Sequence, residues 1–315
     1  MMTELVPPSA ASPNLGAAVA RTWLSFWFEP ADPRRLAPVR IATGLLGLAL
    51  AGSYAADLET WFGVSGMIPA ETVAGWRPGS GGLLLETLTS PPALRLFLAA
   101  LLVALAAVTL GLATRLACLA AALLWASLLN RGPMLAGPAD DCLAVLLWCL
   151  AVGPAGAAWS LDRWLRDRRG LPPSAASPWA RTSLGLLQLH AAVITLGMLL
   201  AQLKGDVWWN GTAAWWLAVG AGGRLVDLTL LYSGSEYLVN LVSHAIVAFE
   251  ILFAAGLWFT AAQQPISRAG LGAWPLVGLL AGEPLWGLAM AIFCLPSAFS
   301  RAARGATAGR PGSRA

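Results

Sequence analysis

Hydrophobic residues fall along this chain in long, nearly unbroken blocks, not in the short amphipathic periods of soluble helices or strands. A helix needs about 20 mainly apolar residues to cross a hydrocarbon core. Blocks at 36–56, 93–113, 116–129 (extendable through Asn130), 142–157, 184–203 and 238–259 meet or approach that length. A further apolar region at 271–299 is broken by Pro275, Pro284 and Pro296 and carries Glu283. It predicts either one kinked span or a short helical hairpin. The pattern thus predicts an all-α fold, a polytopic transmembrane helical bundle of about seven spans (roughly six to eight). The transmembrane domain would occupy 36–300, after a cytoplasmic segment at 1–35 and before a basic, disordered tail at 301–315.

Charge sits at the block ends. Arg21, Arg34 and Arg35 precede the first block, and Arg115 separates the second from the third. Arg163, Arg166, Arg168, Arg169 and Arg181 lie between the fourth and fifth, and Arg268 follows the sixth. The loops at 57–92 and 130–141 are acidic or neutral. The positive-inside rule then places the N-terminus and the 158–183 loop in the cytoplasm of a multi-pass inner (plasma) membrane protein of bacterial type. Arg301, Arg304, Arg310 and Arg314 favour a cytoplasmic C-terminus, and with it the hairpin at 271–299. Pro7, Pro8, Pro13, Pro30 and Pro33 argue against a cleaved signal peptide, so the first span would do the targeting. Tryptophan favours the headgroup level. Trp61 and Trp76, with Phe62, Met67 and Ile68, mark one such region. Trp208, Trp209, Trp215 and Trp216 mark another, which predicts an interfacial helix starting near Thr212 with Asn210 or Thr212 as its N-cap.

Composition agrees. The 315 residues are 57% hydrophobic and 11% charged, whereas about a quarter of a soluble domain is charged. The net charge of +4 comes from 19 arginines and a single lysine, Lys204, against 16 acids. These cations cap apolar blocks and do not cluster on a solvated face, which excludes nucleic acid and leaves the lipid bilayer as the obligatory partner. Cys118, Cys142, Cys149 and Cys294 all fall inside apolar blocks without metal-ligand spacing and are expected as small buried hydrophobes.

Polar side chains at membrane depth are costly and need a partner or a task. Gln188, Thr195 and Gln202 form one stripe of the fifth block. His190 lies on another face with Gly197 and Ala201, a small-residue pair that predicts close helix packing. That arrangement puts the stripe on a cavity and His190 in a helix–helix contact, or all of them in interhelical hydrogen bonds. On the sixth block Glu236, Asn240, Ser243, His244 and Glu250 share a face. Glu250 lies deepest, where a carboxylate costs about 3 kcal/mol unless paired or protonated. Arg40 and His244 are its candidate partners. The cluster is either a proton-handling or ligand cavity or a structural ion pair locking spans one and six. Asn130-Arg131-Gly132-Pro133 with Asp140-Asp141 is a third constellation, for capping and salt bridges or, more weakly, a metal. There is no phosphate loop and no serine elbow, and two histidines are too few for a multi-histidine metal or haem site.

Six motifs occur in order. They are Trp61-Phe62-Gly63 with Gly66-Met67-Ile68-Pro69, Gly111-Leu112-Ala113-Thr114-Arg115, Asn130-Arg131-x-Pro133 with Asp140-Asp141, Trp159-Ser160-Leu161-Asp162, Trp209-Asn210-Gly211-Thr212-Ala213, and Glu250. Together they resemble the HTTM (horizontally transferred transmembrane) family, whose domain is shared with vitamin K-dependent γ-carboxylase. The resemblance spans about Arg21 to Phe299. It implies a helical membrane domain that handles a reduced quinone, with a basic lysine after the fifth span. Aligned on the Trp-Asn-Gly-Thr block, that lysine position is Gln202, with Lys204 two residues on. The family's later histidine falls nearest Pro275. The carboxylase's large extramembrane domain has no counterpart, so carboxylation of a protein is not expected. Thr114, Arg115, Asn130, Arg131, Asp140 and Asp141 would then be family motif residues.

The leading expectation is an intramembrane binder of a lipophilic molecule, with a quinone as the candidate cofactor and no metal assigned. Its cavity would lie between spans one, five and six, lined by Arg40, Gln202, Lys204, Asn240, His244 and Glu250, with Trp208 and Trp209 at the mouth. Were it catalytic, Lys204, His244 and Glu250 would be the candidates. The alternatives are a non-enzymatic accessory protein for maturation or export of a secreted peptide, and an ion-coupled transporter.

Overall fold

The computed structural model of the protein describes residues 15–67, 69, 72, 75, 90–220, 227 and 229–299. The prolines at 7, 8 and 13, Ile68, Trp76 and the tail arginines 301, 304, 310 and 314 lie outside the described residues. Among the described residues every regular element is helical, and the only extended pairing is an isolated bridge between Ala31 and Ser177. In chain order the helices are α1 (Leu15–Phe28), α2 (Leu36–Ala55), α3 (Leu58–Phe62), α4 (Pro91–Leu110), α5 (Thr114–Arg131) and α6 (Pro138–Val152). They continue as α7 (Leu161–Arg168), α8 (Pro178–Gln202), α9 (Asp206–Trp209), α10 (Ala213–Val219) and α11 (Thr229–Ser233). The last three are α12 (Glu236–Gly256), α13 (Thr260–Leu280) and α14 (Pro284–Ala298). Four are long and apolar enough to cross a membrane: α2 with its preceding turn, α4, α8 and α12.

Local chemistry sets the boundaries. Ser177 accepts the Ala180 amide at 3.1 Å, and Pro178 at the first helical position opens α8. The chain leaves α4 through Gly111 at φ +70°. Asp140, at the third position of α6, reaches back to the N-cap residue, its Oδ2 accepting the Gly137 amide at 2.7 Å. Its other oxygen accepts from the Tyr54 hydroxyl at 3.3 Å. Of the two readings for the Asp140-Asp141 pair, Asp140 therefore takes the capping one.

Two expectations change. The residues after 259, including Gln263, Pro265 and Arg268, do not form a connection; they are the first half of α13. The region is a hairpin of α13 and α14, not one kinked span. Its arms meet backbone to backbone: a side chain at Gly278 would lie 2.7 Å from Gly287 Cα. Gly197, by contrast, has nothing within 4 Å of where a side chain would start, so it packs against none of the described helices. The Gly197/Ala201 pair faces outward because α12 and α6 pack on the other sides of α8.

One end of the bundle is held by guanidinium groups bound to helix C-terminal carbonyls. The last carbonyls of a helix have no partner within it, and the fork of an arginine can serve two at once. Arg40, fully buried, donates from Nη1 to Val108 O (3.0 Å) and Thr109 O (3.1 Å) at the end of α4, and from Nη2 to Trp159 O (2.5 Å). Arg115 donates to Val152 O (2.9 Å) at the end of α6. Arg35 donates to Pro296 O through Nε (3.1 Å) and Nη2 (2.9 Å), and Arg268 to Ala298 O (3.1 Å), both at the end of α14. Arg181 reaches Phe26 O (2.7 Å) near the end of α1 and stacks over the Phe26 ring. The segment before the first span is thus a docked helix, with Phe26 and Trp27 against Gly185 of α8.

The motifs 111–115 and 159–162 meet at this end. Asp162 accepts from Ala113 N (2.8 Å), Thr114 N (2.8 Å) and Thr114 Oγ1 (2.6 Å), which caps α5 from across the loop. A side chain on Gly111 would begin 2.0 Å from Arg40 Nη1. Arg40→Lys, which replaces a fork by a point charge, should cost about 3 kcal/mol. Gly111→Ala should cost a comparable amount, through the clash and the positive φ. Denaturant titration in detergent micelles checks both; an unchanged midpoint for either would refute the arrangement.

Candidate functional site

Two apolar stripes face each other across α8 and α12. Leu196, Leu200 and Leu203 line one wall, and His244, Val247 and Ile251 the other. The spacings i, i+4, i+7 and i, i+3, i+7 put each set on one helix face. Between them lies a groove of about 330 Å³, completed by Leu199, Gln202, Trp208 and Trp209. After Gln202 the chain turns through Gly205 into the short α9, which carries both indoles across the end of the groove. Trp209 Nε1 donates back to Leu203 O at 3.0 Å and so holds that corner.

The polar part of the groove rests on a buried pair. Gln202 Nε2 donates to Glu250 Oε1 at 3.1 Å, and Glu250 is 1% exposed. Glu250 Oε2 and Gln202 Oε1 are both buried and make no hydrogen bond. An amide that donates to a carboxylate can aim its own oxygen elsewhere, so the pair keeps two unbonded acceptors beside the Gln202 wall of the groove. His244 Nδ1 lies 2.8 Å from Asn240 O. A carbonyl oxygen only accepts, so Nδ1 is the donor in this bond.

The turn after the tryptophans is seated on α12. Asn210 Oδ1 accepts from Thr212 N (3.1 Å) and Thr212 Oγ1 (2.6 Å), an Asx turn. Thr212 is the N-cap residue of α10 but makes no side-chain cap bond. The capping is done instead by Ser243 of α12, whose hydroxyl accepts the Ala214 amide at 2.9 Å. Gly211 has φ +74°, and a side chain there would start 2.2 Å from Asn240 Oδ1 and 2.7 Å from His244 Cε1. The polar face expected on the sixth block therefore divides its work. Asn240 and Ser243 receive the turn, His244 borders the groove, and Glu250 meets Gln202.

Gln202, Trp208, Trp209, His244 and Glu250 are thus brought together, with Asn240 beneath the turn. Arg40 is not part of this cluster. It serves carbonyls at the arginine-rich end, so neither Arg40 nor His244 pairs with Glu250; the partner is Gln202. Lys204 is exposed and outside the groove lining, since the helix stops at Gln202. Of the rest of the stripe, Gln188 joins other helices and Thr195 bonds within its own. Gln188 donates to Leu257 O at 2.9 Å and accepts from Gln263 at 2.9 Å, and Thr195 donates to Ala191 O. His190 sits against α6, 3.9 Å from Cys149 Sγ, in the helix–helix contact expected of it. The four cysteines are buried and free. Thr114 and Arg115 belong to the capped end. Asn130 donates to Ala126 O (2.9 Å), and Arg131 is buried against Phe62. The groove leucines gave no sequence signal, because a groove-facing leucine and a lipid-facing one look alike.

No family model, curated protein or solved structure matches the chain, so the site is read from its own geometry. Gly211→Ala should lower stability by about 2 kcal/mol, from the clash and the positive φ. Gly197→Ala, in open space within a helix, should raise it by roughly 0.5–1 kcal/mol. Thermal unfolding of the two variants side by side measures the contrast; equal shifts would contradict the seating of the turn on α12.

Proposed function

We propose that this chain is an HTTM-like integral membrane protein that binds a lipophilic molecule of the quinone class in the groove between α8 and α12. The observation that carries the reading is the buried Gln202–Glu250 pair, with one unbonded buried oxygen on each residue, whose Gln202 member lines an apolar groove bordered by Trp208 and Trp209. Apolar pockets with a few convergent polar groups are the usual form of small-molecule sites, and an intramembrane carboxylate marks function by default. The volume of about 330 Å³ falls in the range of such sites. In this reading the tryptophans lie at headgroup level and admit a ligand from the bilayer.

The same reading makes α5, α6, α13 and α14 cross the membrane beside the four long helices. The arginine-capped end then faces the cytoplasm, as does the N-terminus, in the inner membrane of a bacterium. Carboxylase chemistry is not part of the proposal. The position aligned with the family's base is Gln202, and a carboxamide cannot accept the proton that a neutral lysine would.

The test is organic extraction of the purified protein and mass spectrometry of co-purifying lipophiles. A stoichiometric quinone-class species is expected, reduced roughly tenfold in Glu250→Gln and lost in Ile251→Trp, which fills the groove. Bulk phospholipid alone, unchanged in both variants, would sink the reading and favour the accessory role.

A further inference from the structure

A second cavity, of about 430 Å³, lies at the end of the bundle opposite the arginine caps, between α6, α8 and the α13–α14 turn. Its walls are Val145, Ile194, Met198 and Trp286, and two carboxylates border it, Asp141 and Glu283. Both acids sit at helix starts, where a carboxylate commonly caps. Neither does so here. The capping of α6 is done by Asp140, and Glu283 makes no side-chain cap bond on α14. Among the described residues the ion pairs are Arg95–Glu59 and Arg163–Asp167, and no described cation is paired with either acid.

We propose that this cavity binds an amphiphile with one apolar chain and a cationic ammonium head, with Asp141 and Glu283 receiving the head. The apolar walls match a hydrocarbon chain, and at about 430 Å³ the space is of small-molecule size. The charge at the rim selects the head. An anionic amphiphile would bring like charge against two carboxylates, and a neutral one would leave both unpaired. Trp286, 9% exposed, adds an aromatic wall of the kind that favours alkylammonium groups. This site is separate from the groove of the proposed function, which lies between α8 and α12.

The experiment is saturable binding of radiolabelled dodecylamine to the protein in phosphatidylcholine nanodiscs, with empty nanodiscs as background. Dodecylamine should occupy one saturable class of site. Dodecanol and dodecanoic acid should compete weakly. The double variant Asp141→Asn with Glu283→Gln, nearly isosteric at two exposed positions, should weaken binding roughly tenfold. Val145→Trp should abolish binding, and Glu250→Gln should leave it unchanged. Equal competition by dodecanol, or full affinity in the folded double variant, would overturn the proposal. Loss in Glu250→Gln alone would place the amine in the α8–α12 groove and equally overturn it.

Discussion

The bundle depends on arginine side chains closing helix ends that belong to other helices. A helix stopping in or near a bilayer leaves carbonyls that water cannot reach. Here Arg40, Arg115, Arg35, Arg268 and Arg181 supply the donors at the ends of α4, α6, α14 and α1. Each bond joins segments far apart in sequence, so each fixes one helix against another as well as filling an orphan acceptor. These five positions suit arginine and not lysine, because a forked planar donor can serve carbonyls in different directions while an ammonium is a compact, strongly hydrated charge.

The uncharged polar groups inside the bundle follow another rule. They bond to backbone or to one another: Ser243 to α10, Gln188 to Leu257 and Gln263, Thr195 to its own helix. Such bonds in apolar surroundings fix helix rotation without stranding charge. Glu250 differs from these, a buried acid whose bond comes from an amide where a cation would be the ordinary partner. That departure is what separates the α8–α12 groove from the rest of the bundle.

Much of this was legible in the sequence. Helix positions followed from block length: 36–56 became Leu36–Ala55, and 238–259 became Glu236–Gly256. The shared face of His244 and Glu250 followed from helical spacing, whereas the expected partners of Glu250, Arg40 and His244, gave way to Gln202. The destination of Arg40 did not follow, because its acceptors are backbone carbonyls, which every residue carries and no pattern marks. The first half of α13 was hidden because Gln263, Pro265 and Arg268 lower its hydropathy, although Gln263 is there to meet Gln188. The small pair Gly197/Ala201 misled for the reverse reason, since small residues permit close packing without requiring it.

The contact between Gly278 and Gly287 has a mechanical consequence. Two helices touching backbone to backbone cannot slide without moving main-chain atoms through one another, so α13 and α14 behave as a stiff plank. Trp274, fully buried, packs edge-on against Phe253 of α12 and Trp286 of α14 and braces that plank on both sides. The wall of the second cavity that carries Ala281, Glu283 and Trp286 is therefore the fixed jaw of a vice. The compliant jaw is α8, whose Met198 can change rotamer at little cost and whose neighbouring Gly197 leaves one flank unbraced.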